Sequence, residues 1–170
     1  VVHFLGAHAR SPVRGVPTIA GSGDPVASAH DAEEKTMEIE GGCLCGEIRY
    51  AVSGRVSGVG ECHCSICRRA TGGPYTAIAF TSTRSFRWLK GEATATHFRR
   101  PSGWSVAFCP TCGAPVPKAH DNGKLWLLPA GGLDGDPEIE VLQHIFVGSQ
   151  AGWDVMGDGA PQHEAGGPEG

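Results

Sequence analysis

The cysteines of this chain fall into three tight groups, Cys43-Leu44-Cys45, Cys62-His63-Cys64-Ser65-Ile66-Cys67 and Cys109-Pro110-Thr111-Cys112. Three sulfurs in the central run can converge on one ion at zinc–thiolate bonds of about 2.3 Å, whereas a disulfide would use only two of them. That run therefore reads as a metal site. The outer pairs, Cys43, Cys45, Cys109 and Cys112, together offer the four thiolates of a closed tetrahedral zinc cage. The competing reading, two separate redox pairs, would require a strained Cys-x-Cys disulfide. With all seven cysteines so assigned, the ion at Cys62, Cys64 and Cys67 lacks a fourth protein sulfur. Three protein ligands and one open position is the plan of a catalytic zinc. An eighth ligand from His63, His97, His120 or His144 would instead close the site and make it structural. His63 lies between two ligands and is expected to project away from their ion.

Three thiolates on a dication leave a net negative centre and a weak Lewis acid. Such an ion suits a soft thiolate guest better than it suits water activation. The expected chemistry is a thiol kept deprotonated at neutral pH and joined to, or released from, a small carbonyl carbon. Arg68 and Arg69 follow the third ligand and are candidates to stabilise the anionic centre or to clamp a substrate carboxylate. Adjacent residues on a helical turn face different ways, so one of the two is expected to serve, and two solvated arginines is the competing reading. Glu61 and His63 are the nearest candidates for a general base. Trp104, Trp126 and Phe108 read as core rather than as a substrate platform.

The elements that must position these groups are strands. Ile48, Tyr50 and Val52 alternate with Glu47, Arg49 and Ala51, the period-two pattern of a sheet with one buried face. Residues 75–80, 93–98, 104–108, 125–128 and 139–147 are further strand candidates. Trp104, Val106 and Phe108 share one face and deliver Cys109 at a strand end, where Pro110, Gly113 and Pro115 turn the backbone as a zinc knuckle requires. Pro115 and Pro117 confine the strand around Val116 to an edge. Gly41, Gly42 and Gly46 flank the first ligand pair, as a turn wrapped closely around an ion needs. Residues 65–70 form about one helical turn closed at Gly72-Gly73-Pro74, with N–H groups directed at the thiolates. No long helical period appears, so the fold is mainly β, as two sheets or one bent sheet clamped by metal.

Along its 170 residues the chain divides in three. Residues 1–36 are rich in Gly, Pro, Ala, Ser and His without periodicity, the mark of a disordered or non-native extension, and Met37 is a candidate natural start. Residues 37–151 carry the patterned zinc-binding domain. Residues 152–170 are Gly, Pro and acid rich and read as a tail trailing over the surface. The middle is nearly balanced in charge and the end is acidic, which argues against nucleic acid as a partner and for small molecules or proteins. No run approaches a membrane span, and the apolar start, interrupted by His3 and His8, makes a poor signal peptide. Clustered cysteines suit metal binding in a reducing, cytoplasmic compartment.

Three segments carry a resemblance: residues 41–50, Cys62-His63-Cys64-Ser65-Ile66-Cys67-Arg68-Arg69, and Phe108-Cys109-Pro110-Thr111-Cys112-Gly113. With the closing run His144-Ile145-Phe146-Val147-Gly148-Ser149-Gln150-Ala151 and Trp153, they look like the glutathione-dependent formaldehyde-activating enzyme family, which also includes centromere protein V. The likeness spans roughly residues 38–163, and Gln150 stands where relatives often place a lysine. The resemblance implies a β-tent fold akin to methionine-R-sulfoxide reductase and two zinc ions. One is structural, on Cys43, Cys45, Cys109 and Cys112; the other is labile and catalytic, on Cys62, Cys64 and Cys67. It also implies addition of glutathione to formaldehyde, formally a carbon–sulfur lyase reaction. A zinc-stabilised binding module without chemistry is the alternative from another class, and a redox switch that releases zinc on oxidation is a third.

Overall fold

A computed structural model describes residues 38–135 and 137–167. The extension read as disordered, and Met37, lie outside the described residues. The described part is mainly β, with one short α-helix and three sheets. The first sheet is antiparallel, in the order β1 (Glu38–Gly42), β2 (Arg49–Ser53), β5 (Phe86–Lys90). The second has six strands. Its order is β12 (Gln162–His163), β11 (Val141–Ile145), β3 (Val59–Cys62), β4 (Thr76–Ser82), β10 (Leu125–Pro129), β9 (Lys118–Ala119). The third is β6 (Thr96–Arg99), β7 (Ser105–Phe108), β8 (Pro115–Val116). Pro115 and Val116 form an edge strand, as the flanking prolines require.

Two apolar clusters hold these sheets. Tyr50, Val52, Val56, Val59, Ala79, Phe86, Leu128 and Leu133 form one, with Trp88 and Trp126 packed against it. Phe86 stacks on Trp126 at 4.1 Å between ring centroids, and Trp88 meets Phe86 edge-on at 90°. Such aromatic pairs add about 1 kcal/mol each beyond area burial. The second cluster contains Cys43, Ile48, Ala107, Cys109 and Val116. Two of its five members are cysteines of the outer pairs, so this core is built around the four-thiol group.

Several sequence expectations need correction. Ala51 is as buried as its neighbours Tyr50 and Val52, because β2 lies between β1 and β5 and its second face is covered. The described residues form three sheets rather than two sheets or one bent sheet. The strand expected over 93–98 is a 3-10 turn, Glu92–Thr94, followed by β6. Residues 152–167 do not simply trail. β12 pairs in parallel with β11, His144 N–H donates to the Pro161 carbonyl at 2.8 Å, and Phe146 N–H donates to that of Ala165 at 2.7 Å. Backbone hydrogen bonding to an open sheet edge, invisible to side-chain periodicity, seats this segment.

Candidate metal centre and its surroundings

The outer cysteine pairs come from chain segments far apart in sequence, yet their four sulfurs lie together. Cys43-Leu44-Cys45 lies between β1 and β2, and Cys109–Cys112 lies between β7 and β8. The two knuckles close alike. Gly46 N–H donates to the Cys43 carbonyl at 3.0 Å and Gly113 N–H to the Cys109 carbonyl at 2.8 Å. Both glycines have positive φ, 73° and 76°, which explains glycine after each pair. Sulfur separations of 3.5 Å (Cys43–Cys45) and 3.7 Å (Cys45–Cys109) approach the roughly 3.8 Å expected between thiolates 2.3 Å from a tetrahedral ion. The Ile48 N–H points at Cys43 Sγ at 3.3 Å, the arrangement that stabilises a thiolate. The donor set fits zinc.

Cys62, Cys64 and Cys67 form a second group, and among the described residues no fourth Cys, His, Asp or Glu joins it. Local geometry builds this one. β3 ends at Cys62, Cys64 caps the N-terminus of α1 (Ser65–Thr71), and its sulfur accepts from Cys67 N–H at 3.4 Å. Gly72, at φ 72°, ends the helix with its N–H on the Arg68 carbonyl. The neighbouring Cys62 thiol holds the Cys67 thiol down at about 5 against the effect of burial. The same contact drives the Cys62 thiol up. A cluster that already favours one thiolate is suited to a soft dication.

The two arginines part company, as helical geometry demands. Arg68 turns back into the protein, donating from Nε to the His63 carbonyl at 3.3 Å and from a terminal nitrogen to the Ser149 carbonyl at 3.0 Å. Arg69 lines a cavity of about 350 Å³ with Ile66, Phe98, Arg100, Trp104 and Phe108. Trp104 and Phe108 thus face this groove rather than the core, which corrects the expectation for both. Trp126 does pack against the core. The reason is β7's alternation, which sends Ala107 into the second apolar cluster and its odd-out neighbours to the other side.

None of the four histidines that are candidates for an eighth ligand joins the three-cysteine group. His97 is exposed on β6, and with His120 it borders a separate surface hollow beside Lys118 and Asp121. His63 and His144 are buried and bonded to one another, Nε2 to Nδ1 at 2.9 Å. The other nitrogen of each ring meets a carboxylate: His63 Nδ1 with Asp154 at 3.0 Å and His144 Nε2 with Asp158 at 3.0 Å. Glu61 lies 3.3 Å from His144 Nδ1 because the parallel register of β11 on β3 sets His144 beside Glu61. Burial raises the Glu61 carboxyl above its ordinary range. Every ring nitrogen is engaged in a hydrogen-bonded network, and Glu61, His63 and His144 also lie close enough together to hold an ion. Asp154, Asp158 and Arg100 escaped the sequence reading, since a lone aspartate in a Gly- and Pro-rich run gives no periodic signal.

Fold and site together define a mainly β protein with two thiol clusters, one of four sulfurs and one of three, each able to hold a metal ion. The chain belongs to the glutathione-dependent formaldehyde-activating enzyme family, whose model matches residues 38–149. No curated protein gives a match. A crystal structure of a Rhodobacter sphaeroides protein is similar over 60% of this chain and 98% of that one, at 21% identity and a TM-score of 0.48. No helix among the described residues is long and apolar enough to cross a membrane.

Proposed function

We propose that the protein is a zinc-dependent carbon–sulfur lyase that joins a low-molecular-weight thiol, glutathione or one like it, to formaldehyde or another small aldehyde. The observation that carries this reading is the three-sulfur group of Cys62, Cys64 and Cys67, which offers an ion three donors with no fourth Cys, His, Asp or Glu joining them among the described residues. In this reading Cys43, Cys45, Cys109 and Cys112 hold a second, structural zinc. A zinc bound at the three cysteines would supply the charge that keeps a cosubstrate thiol ionised at neutral pH. In the reaction the thiol gives up its proton, its sulfur bonds to the carbonyl carbon, and the released π pair takes a proton on oxygen, giving an S-hydroxyalkyl hemithioacetal.

The chain's own residues then have separable tasks. The three cysteines hold the ion, and the turn at Cys64 with α1 behind it sets their spacing. Arg69, on the wall of the adjoining groove, supplies the positive charge for a substrate carboxylate. Arg68, whose guanidinium is committed to two carbonyls, braces the loop instead. The test is direct. Purified protein should contain two zinc ions per chain, and NMR of ¹³C-formaldehyde with glutathione should show faster exchange into the S-hydroxymethyl product. Cys64→Ser should abolish that acceleration while the protein stays folded. Two tightly held ions with no thiol binding would instead favour the binding module.

A further inference from the structure

The matched family region ends at residue 149, but hydrogen bonds from beyond it reach the middle of the three-cysteine run. His63 separates Cys62 from Cys64, and each of its polar atoms is held. Its N–H donates to the Ile145 carbonyl at 2.9 Å, and its carbonyl accepts from Arg68 Nε at 3.3 Å. Its ring, fully buried, is fixed at Nδ1 by Asp154 and at Nε2 by His144. Asp154 is itself only 9% exposed. Its N–H donates to the Ala151 carbonyl at 2.9 Å, and its own carbonyl accepts from the Gln150 side chain at 2.6 Å. Ala151 is buried, so the turn carrying Asp154 is anchored at its base. Asp158 fixes His144 from the far side and is held in turn by the Ala160 N–H at 3.0 Å.

In a Cys-x-Cys segment, the backbone angles of the middle residue set the separation and direction of the two sulfurs. We infer that Asp154, acting through His63, is a positioning residue for the three-cysteine site, and that residues 151–163 are the strap that holds Cys62 and Cys64 at metal-binding spacing. The statement rests on the reading of Cys62, Cys64 and Cys67 as a metal site. Outer partners of this kind tune metal affinity by about 10- to 100-fold when removed.

The experiment is a chelator titration of full-length, zinc-loaded protein that follows the release of each ion, with Cys64→Ser reporting the four-cysteine site alone. Asp154→Ala should weaken zinc at the three-cysteine site by about 10- to 100-fold and leave the four-cysteine site unchanged. Asp154→Asn, which keeps an oxygen acceptor for His63 Nδ1, should recover much of that loss. Asp158→Ala, one bond further removed, should have a smaller effect than Asp154→Ala. An unchanged three-cysteine affinity in Asp154→Ala, or an equal loss at both sites, overturns the inference. Should that variant fail to fold, Asp158→Ala decides, since a loss confined to the three-cysteine site supports the strap and no loss removes it. If the unaltered chain releases only one ion, the reading of the site fails first; if it releases two and Asp154→Ala changes neither, the strap alone fails.

Discussion

The two cysteine clusters differ most in where their sulfurs come from. The four-sulfur group joins two segments more than sixty residues apart, as the Cys45–Cys109 contact shows, and it is part of a core with Ile48, Ala107 and Val116. The three-sulfur group is made within one strand end and one helical turn. An ion in the first would tie β1 and β2 to β7 and β8 and close a long loop; an ion in the second would close almost none. Bound metal would therefore stabilise the fold mainly through the first site, and exchange at the second would leave the fold closed.

The largest expected effect breaks that contrast at its centre. Cys109→Ser removes a fully buried donor from the long-range group. Structural zinc contributes apparent energies of about 10 kcal/mol or more, comparable with the whole stability of a domain, so this variant should fail to fold at 37 °C. Cys64→Ser should shift the thermal midpoint by only a few degrees. Circular dichroism melts of the two proteins decide the matter, and equal losses would show that the clusters do not divide stability from function.

A smaller effect sharpens the same comparison. Gly113 and Gly72 both sit in the left-handed region, at φ 76° and 72°, and a Cβ at either would meet nothing within 4 Å. Substitution by alanine thus isolates the backbone cost, about 1 kcal/mol at each position. The consequences for metal should differ. Gly113 closes a knuckle of the four-cysteine group and Gly72 closes the helix behind the three-cysteine group. A larger melting loss is expected in Gly113→Ala than in Gly72→Ala, with weakened zinc retention at the four-cysteine site in Gly113→Ala alone. Weakened retention in both would mean that the clusters are mechanically coupled.

How far the sequence could be read follows from the same division. Both cysteine groups were legible because ligand spacing and the glycine after each pair are local signals. The helical turn and its glycine stop were legible for that reason too. Residues 41–42 read as a turn but close strand β1, and the strand at Phe86–Lys90 is not among the strand candidates. Pairing partners override such short runs. The groove walls Trp104 and Phe108 were taken for core because alternation identifies a face without saying which face is inward. The strap has no signal in the sequence because Asp154 and Asp158 meet their histidines only when the tail pairs in parallel with β11, which no periodicity within the tail encodes.

The smallest effect concerns the surface beside the four-cysteine group. Arg49 follows Ile48, whose N–H holds the Cys43 sulfur, and its guanidinium binds Asp134 at 3.0 Å and Glu40 at 2.8 Å. With Asp134 51% exposed and Glu40 47%, solvent screens both pairs, so Arg49→Met should cost only about 0.5–1 kcal/mol, falling further in 1 M salt. Arg49 holds the Asp134 carboxyl below the ordinary aspartate range. A depressed folded value means that this stabilisation is complete above the unfolded pKa of about 3.9 and is lost as pH falls through the folded value. The gap between wild type and Arg49→Met in urea unfolding should therefore be constant from pH 7 to 5 and narrow below about pH 4. A gap several times larger, unmoved by salt, would mean that Arg49 governs the Ile48 contact to the cysteine cage, and that the long-range site owes its strength partly to this ion pair.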